Sequence, residues 1–240
     1  MTQDATHPAP AAHHPYGTPE APRVSVRGEA RLEVDPEIAR IGITVTARGT
    51  DRRAALDDLT RRNNTVLDLV KSYGDPVEKL ETGAFSITPE LTRHGRGERV
   101  RAHHGTVHIT VELSDFTALG ELTTRLADLE LTRVDGPWWA LRPTSHAHGE
   151  ARRQAVLEAV QRAREYAQAL GADLAALVEL ADLGAEDAAP LTMAAPAGAY
   201  RSMAFAGTED ADAPPLDLEP QRQTVLAQVN ARFTMTPPRL

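Results

Sequence analysis

The chain reads as an α+β protein: an antiparallel or mixed sheet of about seven strands with three helices on one face, in the order ββα-ββα-βαββ. Three observations predict it. Several segments alternate apolar and polar side chains with period two, the mark of a strand with one buried face. Three others repeat their apolar residues near 3.6, the period of an amphipathic helix. Pairs of alternating segments precede the helices, and one-sided alternation suits a sheet that helices cover on a single face.

In the first strand Val24, Val26, Ala30, Leu32 and Val34 point one way, and Ser25, Arg27, Glu29, Arg31 and Glu33 the other. Asp35-Pro36 reads as a turn, because proline presets φ and cannot donate to a ladder. Ile41, Ile43, Val45 and Ala47 alternate beyond it, so the two segments predict a hairpin. From Asp51 the residues Leu56, Leu59, Val66, Val70 and Tyr73 form a helical stripe, which Gly74 and Pro76 end. A second strand pair runs from about Val77 to Leu91 and from about Arg99 to Leu113. Its apolar residues sit at even positions before Gly105 (Val100, Ala102) and at odd ones after it (Val107, Ile109, Val111, Leu113). That phase slip predicts a β-bulge at Gly105.

Ser114 is placed to cap the next helix, whose stripe is Phe116, Leu119, Leu122, Leu126 and Leu129. A strand from Leu131 to Arg142 contains Gly136-Pro137 and the pair Trp138-Trp139. The longest helix, from about Ser145 to Leu170, turns Ala151, Ala155, Ala159, Ala163 and Ala167 inward. Small residues four apart let a helix lie close to whatever it covers. Glu158 and Arg162, four apart with the acid first, predict an ion pair on its outer face. Strands from about Leu174 to Leu183 and Gln223 to Met235 complete the order.

Composition bounds the rest. The chain has 240 residues, 41% of them hydrophobic and 25% charged, an ordinary globular balance. It has no cysteine, which excludes disulfides, thiolate metal sites and cysteine nucleophiles together. A formal charge of −8 argues against non-specific binding to nucleic acid, and no run approaches the ~20 apolar residues of a membrane span. Residues 1–22 hold five prolines among Ala, His and Gly, and are expected to be a disordered tail. Residues 23–236 are expected to be one domain, with a second proline-rich disordered stretch inserted at about 184–220. Between Met1 and Pro22 no basic n-region and no apolar h-region is recognisable, which predicts a cytoplasmic protein.

Several segments together carry a family likeness. They are Val26-Arg27-Gly28-Glu29-Ala30, Val34-Asp35-Pro36-Glu37-Ile38-Ala39, Phe85-Ser86-Ile87-Thr88-Pro89, Val111-Glu112-Leu113 into Asp115-Phe116, Val134-Asp135-Gly136-Pro137, and Ala167-Gln168-Ala169-Leu170-Gly171. In this order, over about Val24 to Leu183 with the last strand added, the chain resembles the SIMPL-domain family. That family includes bacterial periplasmic immunogenic proteins and a vertebrate protein that binds an interleukin-receptor-associated kinase. The resemblance implies an α+β fold, large ring-like or channel-like homo-oligomers, stress tolerance for the bacterial members and no transferable catalytic residues. Many bacterial members carry an export signal, from which this chain departs.

The most site-like cluster lies around the second hairpin, where Arg93, His94, Arg96, Arg99, Arg101, His103 and His104 crowd a turn containing Gly95 and Gly97. Guanidinium forks suit phosphate and carboxylate, so this turn is a candidate anion-binding or docking tip. Its plainer reading is a solvated hairpin end. Trp138 and Trp139 are adjacent on a strand and face opposite sides. One belongs to a core and the other to an interface or a second buried layer. No G-x-S-x-G elbow, phosphate loop or spaced metal motif is present, and neither a catalytic set nor a cofactor is expected. The expected function is a non-enzymatic, self-assembling scaffold or stress-related protein. The alternative is a small-ligand or anion-binding module using the arginine-histidine hairpin.

Overall fold

The computed structural model describes residues 17–91, 100–182 and 216–239. In chain order its elements are β1 (Gly17–Thr18), β2 (Ala21–Val34), β3 (Ile38–Gly49), α1 (Arg52–Lys71), β4 (Val77–Leu91), β5 (Val100–Leu113), α2 (Phe116–Ala127), β6 (Thr132–Ala140), α3 (His146–Ala169), β7 (Leu174–Asp182) and β8 (Gln223–Met235). This is the expected α+β fold with three helices. The eight strands among the described residues divide between two four-stranded antiparallel sheets, ordered β1-β2-β8-β7 and β4-β5-β3-β6. The described residues also cluster into two compact units: 17–32, 145–182 and 224–239 in one, and 33–91, 100–144 and 216–223 in the other.

The first unit is α3 laid on its own sheet. Ala151, Ala155, Ala159, Ala163 and Ala167 are fully buried, a row at spacing four that forms one ridge of the helix surface. Ala155, Ala159 and Ala163 pack with Val26 of β2 and with Val229, Ala231 and Phe233 of β8. Gly28 sets the distance of approach. A Cβ there would stand 2.0 Å from the Ala155 carbonyl oxygen and 2.7 Å from the Ala159 Cβ. Strand and helix are therefore in backbone contact at that point. Ser145 caps the helix by accepting from the Ala147 N–H, and Glu158 pairs with Arg162 as the spacing requires. Residues 17–22, assigned to the tail on composition, form β1 and the start of β2. Residues 1–16 lie outside the described residues.

The second unit packs α1 and α2 on the other sheet. Leu59, Val66 and Val70 of α1 and Leu119, Leu122 and Leu126 of α2 close over Ile41, Ile43 and Val45 of β3 and over Ile109, Val111 and Leu113 of β5. The inward row of α1 includes Ala55 rather than Leu56, which is exposed. The reason is close approach: a Cβ on Gly49 would come 2.3 Å from the Ala55 nitrogen, leaving room for only a methyl group. Asp115, not Ser114, caps α2, accepting from the Thr117 and Ala118 N–H groups at 2.8 and 3.1 Å. Residues 216–220 run along α2 without regular structure. The Leu216 N–H donates to Thr124 Oγ1 at 3.1 Å, and a Cβ on Gly120 would meet the Leu216 carbonyl oxygen at 2.4 Å. The rest of the 184–220 stretch lies outside the described residues.

Two local expectations change. The first two long strands do not form a hairpin: β2 pairs with β1 and β8, whereas β3 pairs with β5 and β6. Alternation identifies a strand with one buried face but not its neighbour, and Asp35-Pro36 passes the chain from one sheet to the other. Nor does Gly105 mark a bulge. The ladder runs through it without a shift on both sides, opposite Ala47 and Ile87. Gly105 is a glycine because Leu59 of α1 lies over it; a Cβ there would stand 3.0 Å from Leu59 Cδ2. The register shifts of this ladder fall instead on β4, between Val77 and Lys79, between Thr82 and Phe85, and between Glu90 and Leu91, the last opposite Ala102 and Val100.

Candidate functional site

The β4–β5 hairpin carries the predicted cluster. β3 accompanies β5 only as far as Gly49, opposite His103. β4 and β5 continue to pair beyond that point, through Glu90 opposite Ala102 to Leu91 opposite Val100. The hairpin thus runs on past the end of β3 as a two-stranded arm. Such a ribbon has few neighbours of its own: at its described end Leu91 is 44% exposed and Val100 52%, while Ala102, nearer β3, is buried.

Of the predicted cations, Arg93, His94, Arg96 and Arg99 lie outside the described residues. Arg101, His103 and His104 are placed, and a residue that the sequence reading missed organises two of them. Glu90 Oε2 accepts from Arg48 Nε at 3.1 Å and Nη2 at 2.6 Å, and from His104 Nε2 at 2.9 Å. Arg101 Nη1 stands 3.8 Å from the other oxygen. The His104 ring and the Arg48 guanidinium hold the Glu90 carboxyl below its ordinary range. Arg48 and His104 are direct partners across β3 and β5, so their contact with Glu90 spans three strands. Arg101 and Arg48 are therefore gathered around one carboxylate, which His104 also bonds, rather than presented as bare cations. The clue was in the hairpin register, which puts Glu90 diagonally across from His104.

His103 turns to the opposite face from His104. Its Nδ1 is buried without a hydrogen-bond partner. It stands near Asp51, the cap of α1, whose carboxyl is held below the ordinary range by the Ala54 and Arg53 N–H groups and by His103. The two adjacent histidines therefore do not converge, and His104 shares its face with His108, which bonds Thr44 Oγ1 at 3.0 Å. Among the described residues no three His, Cys, Asp or Glu side chains gather as a metal site.

The tryptophans separate as alternation requires. Trp139 packs against the core of the second unit and meets Phe116 edge-on, ring centroids 4.8 Å apart at 77°. Trp138 lies on the opposite face of β6, 53% exposed.

With this geometry in view, comparison with known proteins adds two findings. The family profile described as "SIMPL: Protein of unknown function (DUF541)" matches residues 24–233. The 26 kDa periplasmic immunogenic protein of Brucella melitensis is 23% identical over 198 residues, covering 80% of this chain and 78% of that protein; its Brucella abortus counterpart matches to the same extent. The relatives' location corrects the cytoplasmic expectation, since both are named as periplasmic proteins. An expectation drawn from what 22 residues lack yields to a likeness that runs through 198.

Proposed function

The chain belongs to the SIMPL (DUF541) family, and from that premise we propose that it is a non-enzymatic protein that assembles with copies of itself outside the cytoplasm. The observation that carries this reading is the β4–β5 arm. It continues beyond β3 with Leu91 and Val100 about half exposed, and a two-stranded ribbon in water gains stability when it packs on something. A second copy of the chain is the surface always at hand. The Glu90 cluster supports docking over anion capture, because its carboxylate already offsets part of the charge of Arg48 and Arg101. The periplasmic relatives support a place outside the cytoplasm, and a chain without cysteine has no thiols to be oxidised there.

Light scattering of the purified protein at micromolar concentration should give a multiple of the chain mass. Leu91→Asp combined with Val100→Asp should reduce it toward one chain with an unchanged far-ultraviolet circular dichroism spectrum. A wild-type protein that scatters as a monomer would remove the reading.

A further inference from the structure

The arm does not account for the face of the second sheet that turns away from α1 and α2. There Trp138 stands opposite Arg40, and its indole reaches over Gly42. A Cβ on Gly42 would lie 3.4 Å from Cζ3 and 3.5 Å from Cη2 of the indole, ordinary contact distance. The ring thus rests against the sheet backbone with its outer side open. An ion pair flanks it on either side. Arg40 donates through Nε and Nη2 to Glu112 Oε1 at 3.0 and 2.6 Å. Arg133 donates through Nε and Nη2 to Asp135 Oδ1 at 2.9 and 2.7 Å. In both pairs the two donors converge on one oxygen. Glu112 Oε2, Asp135 Oδ2 and the two Nη1 groups are left without a bond to the described residues.

We propose that this surface binds a neutral chain of pyranose sugars. The C–H face of a pyranose ring is apolar and flat, and it suits an exposed aromatic ring already held in place. The hydroxyls at its edge both donate and accept; the exposed Arg133–Asp135 pair offers a spare acceptor beside a spare donor, and half-exposed Arg40 adds a donor, while Glu112 is largely buried. Bonds from hydroxyls to carboxylate and guanidinium are charge-assisted and stronger than neutral ones. An anionic ligand is disfavoured, because each guanidinium is already offset by its own carboxylate. A protein partner is disfavoured too: it would have to desolvate two ion pairs, a cost their attraction does not reliably repay. Sugar hydroxyls replace the water on these groups instead of stripping it. A sheet face contacts a ligand from one side only, which selects a chain lying along it over a single enclosed sugar.

Calorimetric titration of the full chain with cellohexaose and with N-acetylated chitohexaose tests this, with a sulfated dextran oligosaccharide as the anionic arm. At least one neutral chain should bind saturably. Trp138→Ala should bind it about 30-fold more weakly, the loss typical when an aromatic anchor is truncated, while Trp138→Tyr keeps most of the affinity. The exposed position of Trp138 leaves folding of these variants intact, which circular dichroism verifies. Absence of neutral-chain binding at millimolar concentration, equal binding by Trp138→Ala, or tighter salt-sensitive binding of the sulfated chain would each overturn the proposal. So would a fall in solution mass caused by Trp138→Ala, which would make this face a contact between copies. Loss of assembly in the Leu91 and Val100 variants with sugar binding retained would leave it standing.

Discussion

Glu90 does more in this protein than its place in the sequence announces. One carboxylate takes bonds from a strand neighbour's histidine and from an arginine two strands away, and its pKa falls below the ordinary 4.5 as a result. A carboxyl depressed on folding contributes stability that is fully present above its ordinary value and lost as pH falls through the lower folded one. Glu78, held low by Arg142, acts in the same direction, as does Asp58, held low by Arg62. Glu90→Gln should therefore be less stable than wild type at neutral pH, and the gap should close in acid, as pH falls through the depressed Glu90 pKa. Urea unfolding at neutral and acid pH measures the gap, and a gap unchanged by acid would refute the linkage. The residue-level reading of the sequence found the cations because they cluster along the chain. It missed their carboxylate because Glu90 is brought to them by strand pairing alone.

At the level of elements, glycines decide how closely helices meet strands. Gly28 lets α3 touch β2, and Gly49 lets the start of α1 rest on the end of β3. The alanine row of α3 was readable from its spacing, and the structure buries every member of it. What the row packs against was not readable, because small residues announce a close approach without naming the partner. Gly28→Ala should lower stability by about 1–3 kcal/mol, the usual range for forcing an added methyl group into a packed site. Gly149→Ala is the matched comparison, since it lies in α3 with no atom within 4 Å of the added Cβ. It should be neutral or stabilising by about 0.5–1 kcal/mol from helix propensity. Thermal melts of the two variants would expose the contrast, and equal effects would mean that crowding at Gly28 is relieved by a shift of the helix.

For the whole molecule the informative surfaces are those that its own cores do not use: the arm of the second hairpin and the Trp138 face of the same sheet. Both would be of service to a protein that lives among other macromolecules outside the cytoplasm, as its relatives do by name. Fractionation of the source cells by osmotic shock should release the protein with periplasmic markers. Retention with cytoplasmic markers would contradict the proposed location.

Local order was written in the sequence. Period-two alternation gave the long strands and a period near 3.6 gave the helices, because each segment must bury one face wherever it ends up. Tertiary structure alone decided which strands became neighbours. β2 and β3 look like the two halves of a hairpin, yet they belong to different sheets, since ladder hydrogen bonds join backbones and are blind to the side chains that define the pattern. For the same reason Gly105 looked like a bulge and proved to be the seat of Leu59: a glycine records that space is short, and only the packed fold shows what fills it.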